Sequence, residues 1–146
     1  MPHSIHGTNG RDVIQPDDIP NGFDRYLVHL YAGDDEYIAR RSGSSLVYAG
    51  AGNDLVAVHG SGNIVYGGLG NDTLTGLSAA NTQLYGGAGN DYLVGGIWNS
   101  ILDGGTGADF LQGGEGQDHF FVDSSLDRIV EPTFDGRVIS DPIARI

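Results

Sequence analysis

The chain has 146 residues, the length of one domain, and 25 of them are glycine. Nineteen acids face seven bases, all arginine, for a net charge of −12, which argues against nucleic acid or an anionic membrane as a partner. There is no cysteine, so neither disulfides nor a thiolate zinc site can hold the fold together.

The N-terminus, MPHSIHGTNG, has no basic stretch followed by an apolar run, so a Sec signal peptide is not expected, and no apolar segment reaches bilayer-spanning length. Gly7 to Ile14, GTNGRDVI, is a degenerate first copy of a phrase that becomes regular later. After Pro16 and Pro20 come Phe23, Tyr26, Leu27 and Leu30. We read residues 1–39 as an N-terminal segment or cap with degenerate repeats.

From Arg40 the chain divides into nine-residue units: 40–48, 49–57, 58–66, 67–75, 76–84 (one longer if Tyr85 is included), 86–94, 95–103, 104–112 and 113–121. Their eighth positions are Val47, Val56, Val65, Leu74, Leu93, Leu102, Leu111 and Phe120, joined by Leu84, the ninth residue of the unit with the extra residue, and every one is apolar. Such glycine-rich units do not suit a helix, where each interior glycine costs about 1 kcal/mol relative to alanine. They suit short strands with one inward side chain, joined by glycine turns. Residues 122–146 read as a C-terminal cap and tail.

The phrases YAGAGNDLV, YGGLGNDTLTG, YGGAGNDYLVGG and DGGTGADFLQGG resemble the RTX (repeats-in-toxin, haemolysin-type) family of calcium-binding nonapeptides, G-G-x-G-x-D-x-U-x with U a large aliphatic. The resemblance covers about residues 40–130, in several copies that stay in phase. It implies an all-β fold: a right-handed parallel β-roll, a β-helix-like solenoid of nine-residue half-coils with Ca²⁺ in the turns. It further implies export by type I secretion and an extracellular location. The tail GQDHFFVDSSLDRIVEPTFDG is similar to the closing segment of such arrays; whether it also carries an export signal stays open.

Two units make one coil of 18, so turns one coil apart stack at about the 4.8 Å strand spacing. Asp54, Asp72, Asp91, Asp109 and Asp127 are separated by 18, 19, 18 and 18 residues and form one column. Unit charges at that spacing repel by roughly 1 kcal/mol in water and about 3–4 kcal/mol at an effective dielectric of 20. Hard oxygen ligands without nitrogen or sulfur select Ca²⁺ over zinc.

The resemblance implies the ligand sets. One ion lies among Gly50, Gly52, Asp54, Gly67, Leu69 and Asp72. A second lies among Gly68, Gly70, Asp72, Gly86, Ala88 and Asp91, and a third among Gly87, Gly89, Asp91, Gly104, Thr106 and Asp109. A fourth needs Gly105, Gly107 and Asp109 with Asp127 on the non-glycine turn VDSSLD. With a last ion near Asp118, three to five ions are expected. Asp and Asn are also ordinary turn residues, so a metal-free turn is the alternative; the phase coherence and the lack of a base beside the column favour the cation.

On the other edge the aspartate position holds Ser45, Asn63, Thr82 (or Asn81, given the inserted residue) and Ser100, and only unit 113–121 restores Asp118. A one-sided calcium roll with a polar, stacked opposite edge is expected. Flanking the inward residues, Leu46/Tyr48, Ile64/Tyr66, Gln83/Tyr85 and Ile101/Asp103 face outward. We read this strip as ordinary cross-rung stacking or as a docking face for a neighbouring domain, a second copy (a homodimer) or a flat carbohydrate, unless the segment with Phe23, Tyr26, Leu27 and Leu30 covers it.

No catalytic constellation is present. The histidines at 3, 6, 29, 59 and 119 are scattered without an HExxH helix, there is no GxSxG elbow, and without lysine there is neither a P-loop nor a Schiff base. The expected function is non-catalytic: a calcium-binding module that folds on Ca²⁺ binding. The alternative is the non-catalytic repeat part of a secreted enzyme (an alginate epimerase or metalloprotease) or of an adhesin.

Overall fold

The structure, a computed structural model, describes residues 3–15, 25–39, 43–131 and 137–140. Its strands in chain order are β1 (His3–His6), β2 (Val13–Ile14), β3 (Arg25–His29), β4 (Glu36–Ile38), β5 (Ser44–Ala51), β6 (Leu55–Val58), β7 (Ile64–Leu69) and β8 (Thr73–Gly76). They continue as β9 (Gln83–Ala88), β10 (Tyr92–Val94), β11 (Ile101–Thr106), β12 (Phe110–Gln112), β13 (His119–Val122), β14 (Arg128–Val130) and β15 (Arg137–Ser140). No helix occurs among the described residues.

Odd-numbered strands form an eight-stranded sheet in sequence order, and even-numbered strands form a seven-stranded sheet the same way. Every pairing is parallel. The chain therefore alternates between two sheets and climbs one rung per coil, a parallel β-solenoid of about six turns.

Strand alternation points every second side chain inward, and the apolar eighth positions supply the core. In the larger sheet Val47, Val65, Leu84, Leu102 and Phe120 lie in one register row. In the smaller one the row is Tyr37, Val56, Leu74, Leu93 and Leu111. All ten are fully buried. Burying one such aliphatic stabilises by about 1.5–3 kcal/mol, so each rung contributes only two large increments from its central row.

The sheets run across both boundaries drawn from sequence. β3 pairs with β5, and β12 and β13 pair with β14 and β15. The expectation that Tyr26, Leu27 and Leu30 cover the tyrosine strip is corrected here. In RYLVHL, Tyr26, Val28 and Leu30 alternate into the core, while Leu27 and His29 pair with Leu46 and Tyr48 and extend the strip. A segment with two-residue periodicity forms a rung more readily than a lid. Pro16, Pro20 and Phe23 lie outside the described residues.

Candidate metal centre

Each glycine-rich turn carries the chain from an odd strand to the next even one. At Gly68 and Gly70 the backbone adopts φ of 118° and 121°, a region that residues with a Cβ rarely occupy. The turns are tied coil to coil: Gly52 N–H donates to Leu69 O (2.8 Å), Gly70 N–H to Ala88 O (2.8 Å) and Gly89 N–H to Thr106 O (2.9 Å). Each of these third-position carbonyls keeps a second lone pair.

The aspartates use their two oxygens differently. The amide N–H of Asp54 donates to Asp72 Oδ1 (2.9 Å), that of Asp72 to Asp91 Oδ1 (2.8 Å), that of Asp91 to Asp109 Oδ1 (2.8 Å) and that of Asp109 to Asp127 Oδ1 (3.1 Å). Oδ1 thus pins the column to the next coil. The Oδ2 atoms of Asp54, Asp72, Asp91 and Asp109 are buried and accept no hydrogen bond. A buried acceptor without a partner costs about 1–3 kcal/mol, more when charged, so a row of them calls for a ligand of opposite charge. Burial, reinforced by the charges on Asp54 and Asp91, pushes the Asp72 carboxyl up to about 7. Asp54 and Asp109 rise to about 6, and Asp91 is also raised, with burial the first cause in each case.

The space beside Oδ2 is shaped by the first glycine of each turn. A Cβ on Gly67 would overlap Asp72 Oδ2 and lie 2.6 Å from the Gly86 carbonyl oxygen; one on Gly86 would overlap Asp91 Oδ2 and lie 2.6 Å from Gly104 O. A carboxylate oxygen and the first carbonyl of the following turn thus converge where no side chain fits. Gly104 is likewise filled by Asp109. Among the described residues no three His, Asp or Glu side chains converge, so an ion held here by paired aspartates would have to draw its further protein ligands from groups such as the main-chain carbonyls. An all-oxygen set of two carboxylates and several carbonyls suits Ca²⁺, which takes 6–8 oxygens.

A model of the RTX calcium-binding nonapeptide repeat matches the sequence in four copies, over residues 41–63, 58–82, 66–97 and 99–129. The chain belongs to the RTX calcium-binding repeat family. No curated protein matches it significantly.

The RTX column extends further than the sequence reading took it. Asp12 N–H donates to Asp35 Oδ1 (2.7 Å) and Asp35 N–H to Asp54 Oδ1 (2.9 Å), and Asp35 Oδ2 is again buried without a hydrogen bond. Asp35 was missed because Leu30 and Tyr31 replace the first two glycines of its turn. The signal that finds it is Gly33-x-Asp35-x-Tyr37, 19 residues before the same pattern at Gly52, Asp54 and Val56.

A second, exposed ladder lies beside the column. Asn53 N–H donates to Asp34 Oδ1 (2.7 Å), Asn71 to Asn53 (2.8 Å), Asn90 to Asn71 (2.7 Å) and Ala108 to Asn90 (2.9 Å). The asparagine of each GND therefore satisfies the main chain of the neighbouring turn. Asp127 differs: its Oδ2 accepts from Ser124 N–H (3.0 Å), closing VDSSLD upon itself.

At the opposite edge of the RTX roll, Ser45, Asn63, Thr82, Ser100 and Asp118 are all buried. A bridge between Ser61 and Ala80 puts the insertion before Ala80, so Thr82 takes the aspartate place. Asn81, at φ 52°, stands where Gly62 stands a coil earlier. Here Asn63 Oδ1 accepts from Ser45 N–H (2.7 Å) while its Nδ2 donates to His59 O (3.1 Å). Ser100 Oγ donates to Trp98 O (3.1 Å), and Ser100 N–H donates to Asp118 Oδ1 (2.6 Å).

The outward strip is an aromatic stack. His6, His29, Tyr48, Tyr66 and Tyr85 follow one another with centroid separations of 5.7, 4.9, 5.2 and 4.9 Å and interplanar angles of 13° or less. Their faces are turned to each other and their edges to solvent, so a flat sugar finds no open ring face along the middle of the strip.

Proposed function

We propose that this chain is a calcium-folded module of a type I-secreted protein, serving outside the cell as a structural and binding element. The observation that carries the reading is the row of buried Oδ2 atoms without hydrogen bonds at Asp54, Asp72, Asp91 and Asp109. The ions are assigned to the ligand sets of the family pattern: the Asp54 and Asp72 rung, the Asp72 and Asp91 rung, the Asp91 and Asp109 rung and, with fewer ligands, the Asp109 and Asp127 rung. A core two large side chains deep per rung does not offset stacked carboxylates, so the free energy of ion binding becomes free energy of folding. Extracellular calcium modules work at dissociation constants of about 10⁻⁴–10⁻³ M. A chain of this kind stays unfolded where calcium is scarce and folds where it is abundant, which matches passage through a narrow exporter.

Far-UV circular dichroism during a CaCl₂ titration tests the reading. Little β signal in chelator and a cooperative gain with calcium are expected. Full β content and a cooperative melt in chelator at neutral pH would sink it.

A further inference from the structure

The rungs of the aspartate column are not equivalent. Register places Gly7, Leu30, Ala49, Gly67, Gly86, Gly104 and Val122 at the same first position of successive turns, one residue after His6, His29, Tyr48, Tyr66, Tyr85, Asp103 and Phe121. At Gly67 and Gly86 that position is bare, and its place is taken by the Oδ2 of the aspartate in the same turn and the carbonyl of the next. Ala49 brings a buried methyl to it and Leu30 a whole buried side chain, both members of the apolar core.

The carboxylates differ as well. Asp72, Asp91 and Asp109 each offer a buried Oδ2 with no hydrogen bond. Those at the ends are committed: Asp127 Oδ2 accepts from Ser124 N–H at 3.0 Å, and Asp12 Oδ2 accepts from Thr8 N–H at 2.6 Å and from its hydroxyl at 3.2 Å. Among the described residues two rungs combine a bare first position with two uncommitted carboxylates: that of Asp72 with Asp91, and that of Asp91 with Asp109.

Resting on the calcium reading above, we propose that the column loads from its middle. The two rungs that share Asp91 form a tight class. The rung of Asp54 with Asp72, crowded by the Ala49 methyl, and that of Asp109 with Asp127 form a weaker class. The rung of Asp35 with Asp54, with the buried Leu30 at its first position, falls outside both classes. Calcium affinity follows ligand charge and site rigidity, and here the rungs differ in the residue at the first position of the turn and in whether both carboxylates keep an uncommitted oxygen.

Native mass spectrometry and calorimetry of the full chain titrated with CaCl₂ test the grading. Two ions binding at least about tenfold more tightly than the rest are expected. Ala49→Gly should enlarge the tight class from two ions to three, and Gly86→Ala should reduce it to one. Because the Gly86 variant risks failing to fold, Ala49→Gly carries the decision: a tight class of unchanged size in that variant overturns the proposal. So does a single class of equal sites in the parent chain. Binding of no calcium at all would overturn the underlying reading as well, whereas calcium-driven folding with ungraded sites would leave that reading standing and remove the grading alone.

Discussion

The two edges of the roll are built on one coil and solve the same problem in opposite ways. Each must return the chain from one sheet to the other while burying polar groups beneath the turn. At the edge of Ser45, Asn63, Thr82 and Ser100 the side chains are neutral, and Asn63 accepts from Ser45 and donates to His59. At the other edge Asp54, Asp72, Asp91 and Asp109 spend one oxygen on the ladder and bury the second without a hydrogen bond. At one edge Asn63 and Ser100 find their partners within the protein, though the Thr82 hydroxyl does not; at the other, four carboxylate oxygens in a row are left for a cation. Whether a turn of this roll leaves a carboxylate oxygen for a cation is a local matter. A single side chain per turn decides it.

The sharpest way to break the comparison is to exchange charge for neutrality at one edge and delete a hydrogen bond at the other. Asp91→Asn retains an Oδ1 for the Asp72 amide but removes the carboxylate that serves two rungs. It should lose about two ions and raise the calcium needed for folding by more than about tenfold, read by dichroism-monitored titration. Asn63→Ala orphans the Ser45 amide, a cost of about 1–3 kcal/mol, and should leave the number of bound ions unchanged. Equal ion loss in both variants would abolish the distinction between the edges.

A second prediction uses pH. In the metal-free roll Asp72 titrates near 7 and Asp54 and Asp109 near 6, against 3.8 for an ordinary aspartate. Raised carboxyl values favour the protonated folded form, so their contribution is full below about pH 4 and lost as pH rises through 6 to 7. In chelator the β signal should therefore grow on acidification from pH 8 to pH 5. In calcium the same acidification should release ions, because protons and Ca²⁺ compete for the same oxygens. Chelated protein equally folded at both pH values would show that the carboxylate column is not what opposes folding.

Smaller effects sharpen the picture beside the column. Asn71→Ala removes the acceptor of the Asn90 amide on the exposed ladder. A loss of about 0.5–1.5 kcal/mol with unchanged ion count is expected, and loss of an ion would make that asparagine part of the metal centre. The smallest effect on calcium binding is expected on the outward strip. Replacing Ile64 and Tyr66 together by Ser interrupts the aromatic stack, worth about 0.5–1.5 kcal/mol per pair. Calcium binding should be preserved and self-association, read by sedimentation velocity, weakened. Unchanged sedimentation would leave the strip as ordinary cross-rung packing.

The sequence by itself determined the repeat and its phase, and these were enough for much of the fold. An apolar residue once per unit, Val47 through Phe120, determines which side chains point inward, because strand geometry alternates strictly. The 18- and 19-residue spacing of Asp54, Asp72, Asp91 and Asp109 determines that they stack, because the coil length is the sum of two units. Only the tertiary structure decided where the repeat stops being written in glycine. Leu30 and Tyr31 replace the paired glycines that mark the other turns and leave only the weak Gly33-x-Asp35-x-Tyr37 spacing, yet hydrogen bonds from neighbouring coils hold that turn in the column, with Tyr31 at φ 76°. It also decided that Leu27 and His29 extend the strip, that Thr82 and not Asn81 takes the buried place, and that one aspartate oxygen belongs to the ladder while the other lies open to an ion. These outcomes depend on which group a coil above or below presents, a contact between residues 18 to 23 positions apart that local spacing cannot encode.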